Sequence, residues 1–388
     1  MPLDFPNSPT IGQTFSSGTR KWTWTGEQWS AANIIEVPPS SFRNKIINGD
    51  MRIDQRNAGA SYIPPTGGGL RYTIDRWGVQ SQITNSNYIT TQQLSLTPPP
   101  GFVNYLNITV NTAQTLGSSI FDYYILRQAI EGNNVRDLGW GTSSPKTTTL
   151  SFWVRSSLTG LFGGHLTNAT SSRFYTFTYN ITQANTWQYV TVTIPGDTVG
   201  PWSTDTSAGI YVTWVLGVGT GNNAGVPNSW VSYAGGGATP TPVGTTGLTN
   251  FLGTQGTTFQ ITGVQFEVGS IATPFEHRPI GTELALCQRY YYKSPIDFFY
   301  DTVGSSYNNL CSIRYAYHIN APLPVEMRAV PNITLSFKGG LGTQYAGNFE
   351  RTVNSTTFLR WRNGASGFNP NLSGQADMYM SYTADAEL

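Results

Sequence analysis

Apolar side chains recur at every second residue in one segment of this chain after another, a pattern that fits a strand and not a helix. Leu150, Phe152 and Val154 alternate with Ser151, Trp153 and Arg155. Tyr175, Phe177, Tyr179 and Ile181 keep the same period, as do Val190, Val192 and Ile194, and then Ile210, Val212, Trp214 and Leu216. A period of two sends alternate side chains to opposite faces of a pleated strand, so one face faces a core and the other faces out. With turn residues between the segments, this predicts an antiparallel sandwich. Composition agrees. Charged residues are 11% of the chain, against ~25% in ordinary globular domains. The Glu, Lys and Arg that fill helices are scarce, while Thr, Tyr, Trp and Phe favour strands and Gly, Asn and Pro favour turns. Between Phe259 and Val268 the phase slips: Phe259 and Ile261 lie on one face, Val264, Phe266 and Val268 on the other. Gly263 sits at the slip, where a bulge would absorb the extra residue.

The expected fold class is all-β: a small N-terminal β module, a large jelly-roll β-sandwich, a short connecting helix and a smaller C-terminal β-sandwich. The expected boundaries are 1–35 for the module, 36–43 for a Pro/Ser linker, 44–280 for the large domain, 281–292 for the helical connector and 293–388 for the last domain. In the module, Lys21 to Trp29 reads as a hairpin turning at Thr25-Gly26-Glu27. So short a unit buries little by itself, so Trp22, Trp24 and Trp29 are expected to pack on a neighbour or another chain. In the connector, Thr282 is the expected N-cap, with Leu284, Cys287 and Tyr291 on one face. The last domain alternates again at Val325 and Met327, at Ile333, Leu335 and Phe337, and at Met378, Met380 and Tyr382. From Thr206 to Phe266 there is no charged residue. That stretch is either a long irregular surface loop or a neutral surface for symmetry mates or a sugar.

Several function classes are disfavoured. The net charge of +1 offers no basic face for nucleic acid. No apolar run approaches the ~18 residues of a membrane span, and Met1 to Pro6 lacks the features of a secretory signal. Cys287 and Cys311 read as reduced thiols. The six Asn-x-Ser/Thr matches read as chance in so Asn- and Thr-rich a chain. His165, His277 and His318 are scattered, with no metal-ligand spacing, and Gly67-Gly68-Gly69 lacks the Lys-Ser/Thr of a phosphate loop. No cofactor is expected. Twenty-one acids form no local pair suited to glycoside hydrolysis, and no short repeat suggests a β-helix. The expectation is a binding protein and not an enzyme. Asp75-Arg76-Trp77 and Glu276-His277-Arg278 read as structural ion pairs.

A family resemblance rests on the order of several motifs. Asp4-Phe5-Pro6-Asn7-Ser8-Pro9 through Trp29 resembles the N-terminal module of structural proteins of cyanophages and other tailed phages. Asn44 to Arg56 (NKIINGDMRIDQR) with Asp75-Arg76-Trp77 resembles the opening of a carbohydrate-binding-module-like jelly roll in phage tail fibres. Leu150 to Ser156 and Trp187 to Val192 fit its middle strands, and Ile261 to Ser270 its closing strand. Thr273 to Pro279, running into Glu283 to Tyr291, is similar to a tail-fibre connector. The likeness covers about three quarters of the chain; the remainder follows tip domains only in general pattern. It implies a virion appendage, a homotrimer held to other virion proteins through Trp22, Trp24 and Trp29, that attaches the particle to host surface glycan without nucleic acid or membrane insertion. By the same analogy Asp50 and Asp54, near Glu267, would offer oxygens to a structural Ca²⁺, though no dense acidic loop supports it.

Sugar binding needs aromatic faces beside amides, carboxylates or guanidinium groups. The best sequence candidate is Trp361 between Arg360 and Arg362, with Tyr345 and Tyr379 as weaker ones; Trp361 serves there or as a core or interface residue. Trp202 and Trp230 form a second candidate platform. Two alternatives stay open: a capsid or tail decoration or cement protein without a receptor, and a polysaccharide depolymerase.

Overall fold

The computed structural model describes residues 5–31, 42–294, 298–302, 319–338, 349–363 and 376–388, apart from 12, 18–19, 25, 66–68, 82–87, 120–121 and 236–239. Trp22 and its hairpin belong to the first of two units, Met1–Arg43; the second is Asn44–Leu388. In the first, β1 (Thr14–Ser17), β2 (Arg20–Trp24) and β3 (Trp29–Ala31) form an antiparallel sheet. Its tryptophans pack within the unit. Trp22 is buried against Phe5 and Phe15, Phe5 stacks on Trp29 with centroids 5.3 Å apart, and Trp24 lies 5.7 Å from Trp29. Five aromatic rings thus form a small core where sequence length alone pointed to a partner.

The second unit opens with the sandwich. Its strands are β4 (Leu70–Ile74), β5 (Trp77–Ser81), β6 (Ile89–Leu94), β7 (Tyr105–Val110), β8 (Tyr123–Glu131), β9 (Thr148–Ser156), β10 (Gly160–Asn168), β11 (Arg173–Ile181), β12 (Gln188–Ile194), β13 (Ala208–Val218), β14 (Ser229–Ser232) and β15 (Thr258–Val268). Among the described residues they form a seven-stranded sheet, β14-β11-β10-β13-β8-β5-β4, and a five-stranded sheet, β12-β9-β15-β7-β6. The chain crosses between the sheets repeatedly, β5 to β6, β7 to β8, β8 to β9 and onward, which is jelly-roll connectivity. The alternating residues read from sequence form the core. Phe152 of one sheet meets Trp214 of the other edge to face at 5.3 Å, and Trp214 meets Trp77 at 5.6 Å. Full burial of each such side chain contributes about 1.5–3 kcal/mol.

The phase slip in β15 is a bulge. Its pairing with β9 shifts between Thr262 and Gln265, and Gly263 has φ +62°. The extra residue turns the chain so that Phe259, Ile261, Val264 and Phe266 all reach the same core. The segment Asn44–Gly49 is sewn onto this bulge. Asn44 Nδ2 donates to the Val264 carbonyl (3.0 Å), and its Oδ1 accepts from the amides of Ile46 and Phe266. A Cβ on Gly49 would lie 2.2 Å from the Val264 oxygen, so only glycine allows this approach.

The helix α1 (Ile280–Gln288) is capped by Pro279, three residues before Thr282, the cap predicted from sequence. Pro279 holds the extended geometry that starts it, and Thr282 lies inside the helix. Cys287, a buried free thiol, packs with Tyr290, Ile47 and Ile53; Cys311 lies outside the described residues. Beyond α1 come β16 (Tyr291–Lys293), β17 (Phe298–Thr302), β18 (Ile319–Pro322), β19 (Asn332–Lys338), β20 (Phe349–Asn354), β21 (Phe358–Asn363) and β22 (Ala376–Asp385). β22 pairs with β16, β17 and β19, and β21 lies between β18 and β20. The residues after β22 return to the sandwich. Glu387 pairs with buried Arg76 and, at 2.9 Å, with Arg56, and Tyr72 donates to the Leu388 carbonyl.

Candidate functional site

Two of the sandwich's faces point outward, and the chain covers much of one and part of the other. Over the seven-stranded sheet lies part of the uncharged stretch. Val243 packs on Ile125 and Val215, and His165 Nδ1 donates to the Val243 carbonyl at 2.7 Å. Burial holds the His165 pKa down to about 4, so the imidazole is neutral there. Phe251 and Leu252 of the same stretch are fully buried. Its lack of charge therefore has a cause within the chain: much of it is interior.

The outer face of the five-stranded sheet is different. Its register sets Tyr189 of β12 opposite Trp153 of β9, and Trp153 opposite Thr262 of β15. The next row, one pleat along, reads Arg155 of β9, Gln260 of β15, Asn107 of β7 and Gln92 of β6. The first row supplies ring faces: Trp153 and Tyr189 lie 5.3 Å apart, and Tyr189 is 44% exposed. The second row supplies polar groups locked to one another. Arg155 Nε donates to Gln260 Oε1, and Gln260 Nε2 donates to Asn107 Oδ1 at 2.8 Å. Trp187, at the mouth of β12, meets Tyr105 edge to face at 5.5 Å, and the Arg155 guanidinium lies over both rings at 4.8 and 5.4 Å. Fixed aromatic planes beside a fixed row of amide and guanidinium donors are what a sugar's C–H face and hydroxyls require.

The residues picked from sequence fall elsewhere. Trp361, Arg360 and Arg362 belong to β21, where Trp361 registers with Ile319 and Arg351, and Tyr379 belongs to β22; their side chains, and all of Tyr345, lie outside the described residues. Trp202 and Trp230 do come together, with Trp140, in an edge-to-face trio at 4.9, 5.2 and 5.4 Å. Their indole N–H groups donate to backbone carbonyls of Val199, Pro195 and Lys146, beside the bidentate Arg173–Asp197 pair at 2.8 and 2.7 Å. The trio packs against the sandwich core, Trp140 meeting Phe266 at 6.1 Å. Nothing in the sequence around Trp140 singles it out; Gly139 and Gly141, both at positive φ, mark the turn that presents it.

Among the described residues no three His, Cys, Asp or Glu side chains converge as metal ligands. Asp50 pairs with Arg52, Asp54 accepts from the amides of Asn57 and Gly59, and Glu267 accepts from Thr273 and Gln265. The outer-face residues carried one sequence signal. Trp153 and Arg155 occupy the supposedly solvated side of β9, where an aromatic ring and a cation in alternation need a reason.

No family model and no curated protein matches the chain. Among solved structures it is similar to the enzymatically active domain of tailspike protein 4 of bacteriophage CBA120, at 13% identity over 58% of this chain and 22% of that one, with a TM-score of 0.31. It therefore spans under a quarter of that tailspike chain. It is also similar to a family 11 carbohydrate-binding module of a cellulosomal cellulase of Clostridium thermocellum (12% identity, 56% and 99% covered, TM-score 0.25). A third is TmCBM61 in complex with β-1,4-galactotriose (11% identity, 50% and 88% covered, TM-score 0.25).

Proposed function

We propose that this chain is a non-enzymatic virion protein, a trimeric tail fibre or appendage that adsorbs to a host surface by binding glycan. The observation that carries the binding half is the Trp153–Tyr189 pair on the outer face of the five-stranded sheet, next to which the Arg155–Gln260–Asn107 row lies with Gln260 and Asn107 buried. The virion half rests on the order of the sequence motifs, from the Trp-rich N-terminal module through the jelly-roll opening to the connector. In this reading the first unit mounts the protein and the sandwich engages sugar. A binding role also suits the carboxylates. Glu131, Asp197, Glu276, Glu283 and Glu387 each pair with an arginine, which favours scaffold over acid–base chemistry.

The test is affinity electrophoresis and calorimetry of the whole chain against mixed-linkage β-glucan, xylan, β-1,4-galactan and bacterial lipopolysaccharide. Wild type is expected to bind at least one. At about 0.5–1.5 kcal/mol per aromatic contact, the double change Trp153→Ala and Tyr189→Ala weakens that binding about tenfold or more. A wild type that binds none, or a double variant that binds equally well, overturns the reading. Sedimentation as a monomer at micromolar concentration would remove the trimer from it.

A further inference from the structure

The connection from β6 to β7 is longer than it needs to be. Leu94 and Tyr105 are already paired across the two strands, so a two-residue turn would close the hairpin. Instead Ser95–Asn104 makes an excursion across the outer face of the five-stranded sheet. Beneath it Asn107, Gln260, Thr262 and Tyr105 are at most 9% exposed.

Within the excursion Pro99 is buried, and the other anchors are few. Trp187 Nε1 donates to the Thr97 carbonyl at 2.7 Å, Arg155 Nη1 donates to Thr97 Oγ1 at 3.0 Å, and Thr262 Oγ1 donates to the Asn104 carbonyl at 2.8 Å. Phe102 rests over Gly263 and against Phe275 and His277. Its other large apolar side chains face out: Leu96 is 83% exposed and Val103 63%. A loop built only to seal the face would bury these two. The Trp187 and Arg155 donors are also the groups a sugar would use, and Thr97 meets them with two acceptor oxygens, a place that neighbouring hydroxyl or ether oxygens of a pyranose can take.

We propose that Ser95–Asn104 is a displaceable strap and that Thr97 occupies a concealed pyranose subsite formed by Trp187, Arg155 and the amide row. This rests on the glycan-binding reading. An entering sugar takes over the Trp187 and Arg155 hydrogen bonds with its own oxygens, stacks in the space the strap leaves beside Trp187 and Tyr105, and so extends the Trp153–Tyr189 rim into a groove. The strap is then a built-in competitor that lowers affinity until a long enough glycan displaces it.

Three full-length variants test this on the four polysaccharides named above: Thr97→Ala; a strapless chain in which an Asn-Gly turn replaces Ser95–Asn104; and the strapless chain with Trp187→Ala. The strapless chain is expected to bind about tenfold more tightly than wild type, Thr97→Ala to fall between them, and Trp187→Ala to cancel the gain. A folded strapless chain (circular dichroism and melting as in wild type) that binds no tighter than wild type overturns the strap and leaves the rim reading intact. Binding by neither protein overturns both. Should the strapless chain fail to fold, unchanged affinity in Thr97→Ala overturns the proposal and raised affinity supports it.

Discussion

Replacing Glu387 with Gln isolates the charge that fastens the residues after β22 to the sandwich. Glu387 is nearly buried, and it faces Arg76, itself 1% exposed, and Arg56. Each guanidinium also lies over a ring, Arg76 over Tyr290 at 3.5 Å and Arg56 over Tyr291 at 3.7 Å. Burial works against the charge on Arg76, but Glu387, Tyr290, Tyr72 and Cys287 together outweigh it, Glu387 most of all, and raise the guanidinium pKa above its ordinary value. Gln fills the same volume, so the substitution removes the charge and leaves no cavity. Breaking a buried pair by deleting one partner costs about 3–5 kcal/mol. Arg56 keeps Asp385 at 3.4 Å, which points to the lower end of that range. In urea, with a slope of about 3 kcal/mol/M, the unfolding midpoint falls by about 1 M. Hydrogen exchange locates the loss: the Ala386 amide, bonded to the Tyr290 carbonyl at 2.8 Å, loses protection before the core strands do. Pairing Glu387→Gln with Arg76→Met restores most of the stability, because no unpaired charge stays buried. A single variant within about 0.5 kcal/mol of wild type would refute the argument that this pair is energetically committed.

Asp75 gives the pH prediction. Burial pushes its carboxyl up to about 7, despite Arg56 and two hydrogen bonds from Gln55. Between the unfolded value near 4 and 7 the folded protein holds a proton that the unfolded chain has released, so this stability is full below pH 4 and is lost as pH rises through 7. Asp75→Asn is expected to flatten that slope, its urea midpoint gaining on wild type from pH 5 to pH 7.5; parallel midpoints would contradict it. Gly263→Ala places a Cβ 2.6 Å from the Phe102 ring and 3.0 Å from Trp153 at φ +62°. It is expected to cost about 2 kcal/mol or more by thermal unfolding, left-handed backbone alone costing about 1–2 kcal/mol, and to shift Trp153 fluorescence; an unchanged melt counts against the bulge account.

The core strands were legible because period-two alternation is a local property. Each apolar residue of β9, β11, β12 and β13 reads its face from neighbours two positions away, and the Gly263 bulge shows as a break in that count. The polar motifs are structural, as read, but in a way that ion pairing alone does not describe: Arg278 pairs with Glu276 and Glu283 and also donates to the Ile46 carbonyl. Asn44, Asn48, Asp75 and Arg278 stand out in sequence, yet their side chains tie backbone segments together. Asn48 alone bonds Ile53 twice and the Asp75 carbonyl once. A side chain serving a distant backbone carries no local signature.

By itself, the sequence determined that this chain is all-β, where its core strands lie and that one glycine breaks the phase of β15. Only the tertiary structure decided which side chains the outward faces bring together. Arg155, Gln260, Asn107 and Gln92 belong to four separate strands, and only the sheet register makes them one row. Thr97 reaches Trp187 and Arg155 across 90 and 58 residues of sequence, a juxtaposition that exists only once both strands and strap are in place.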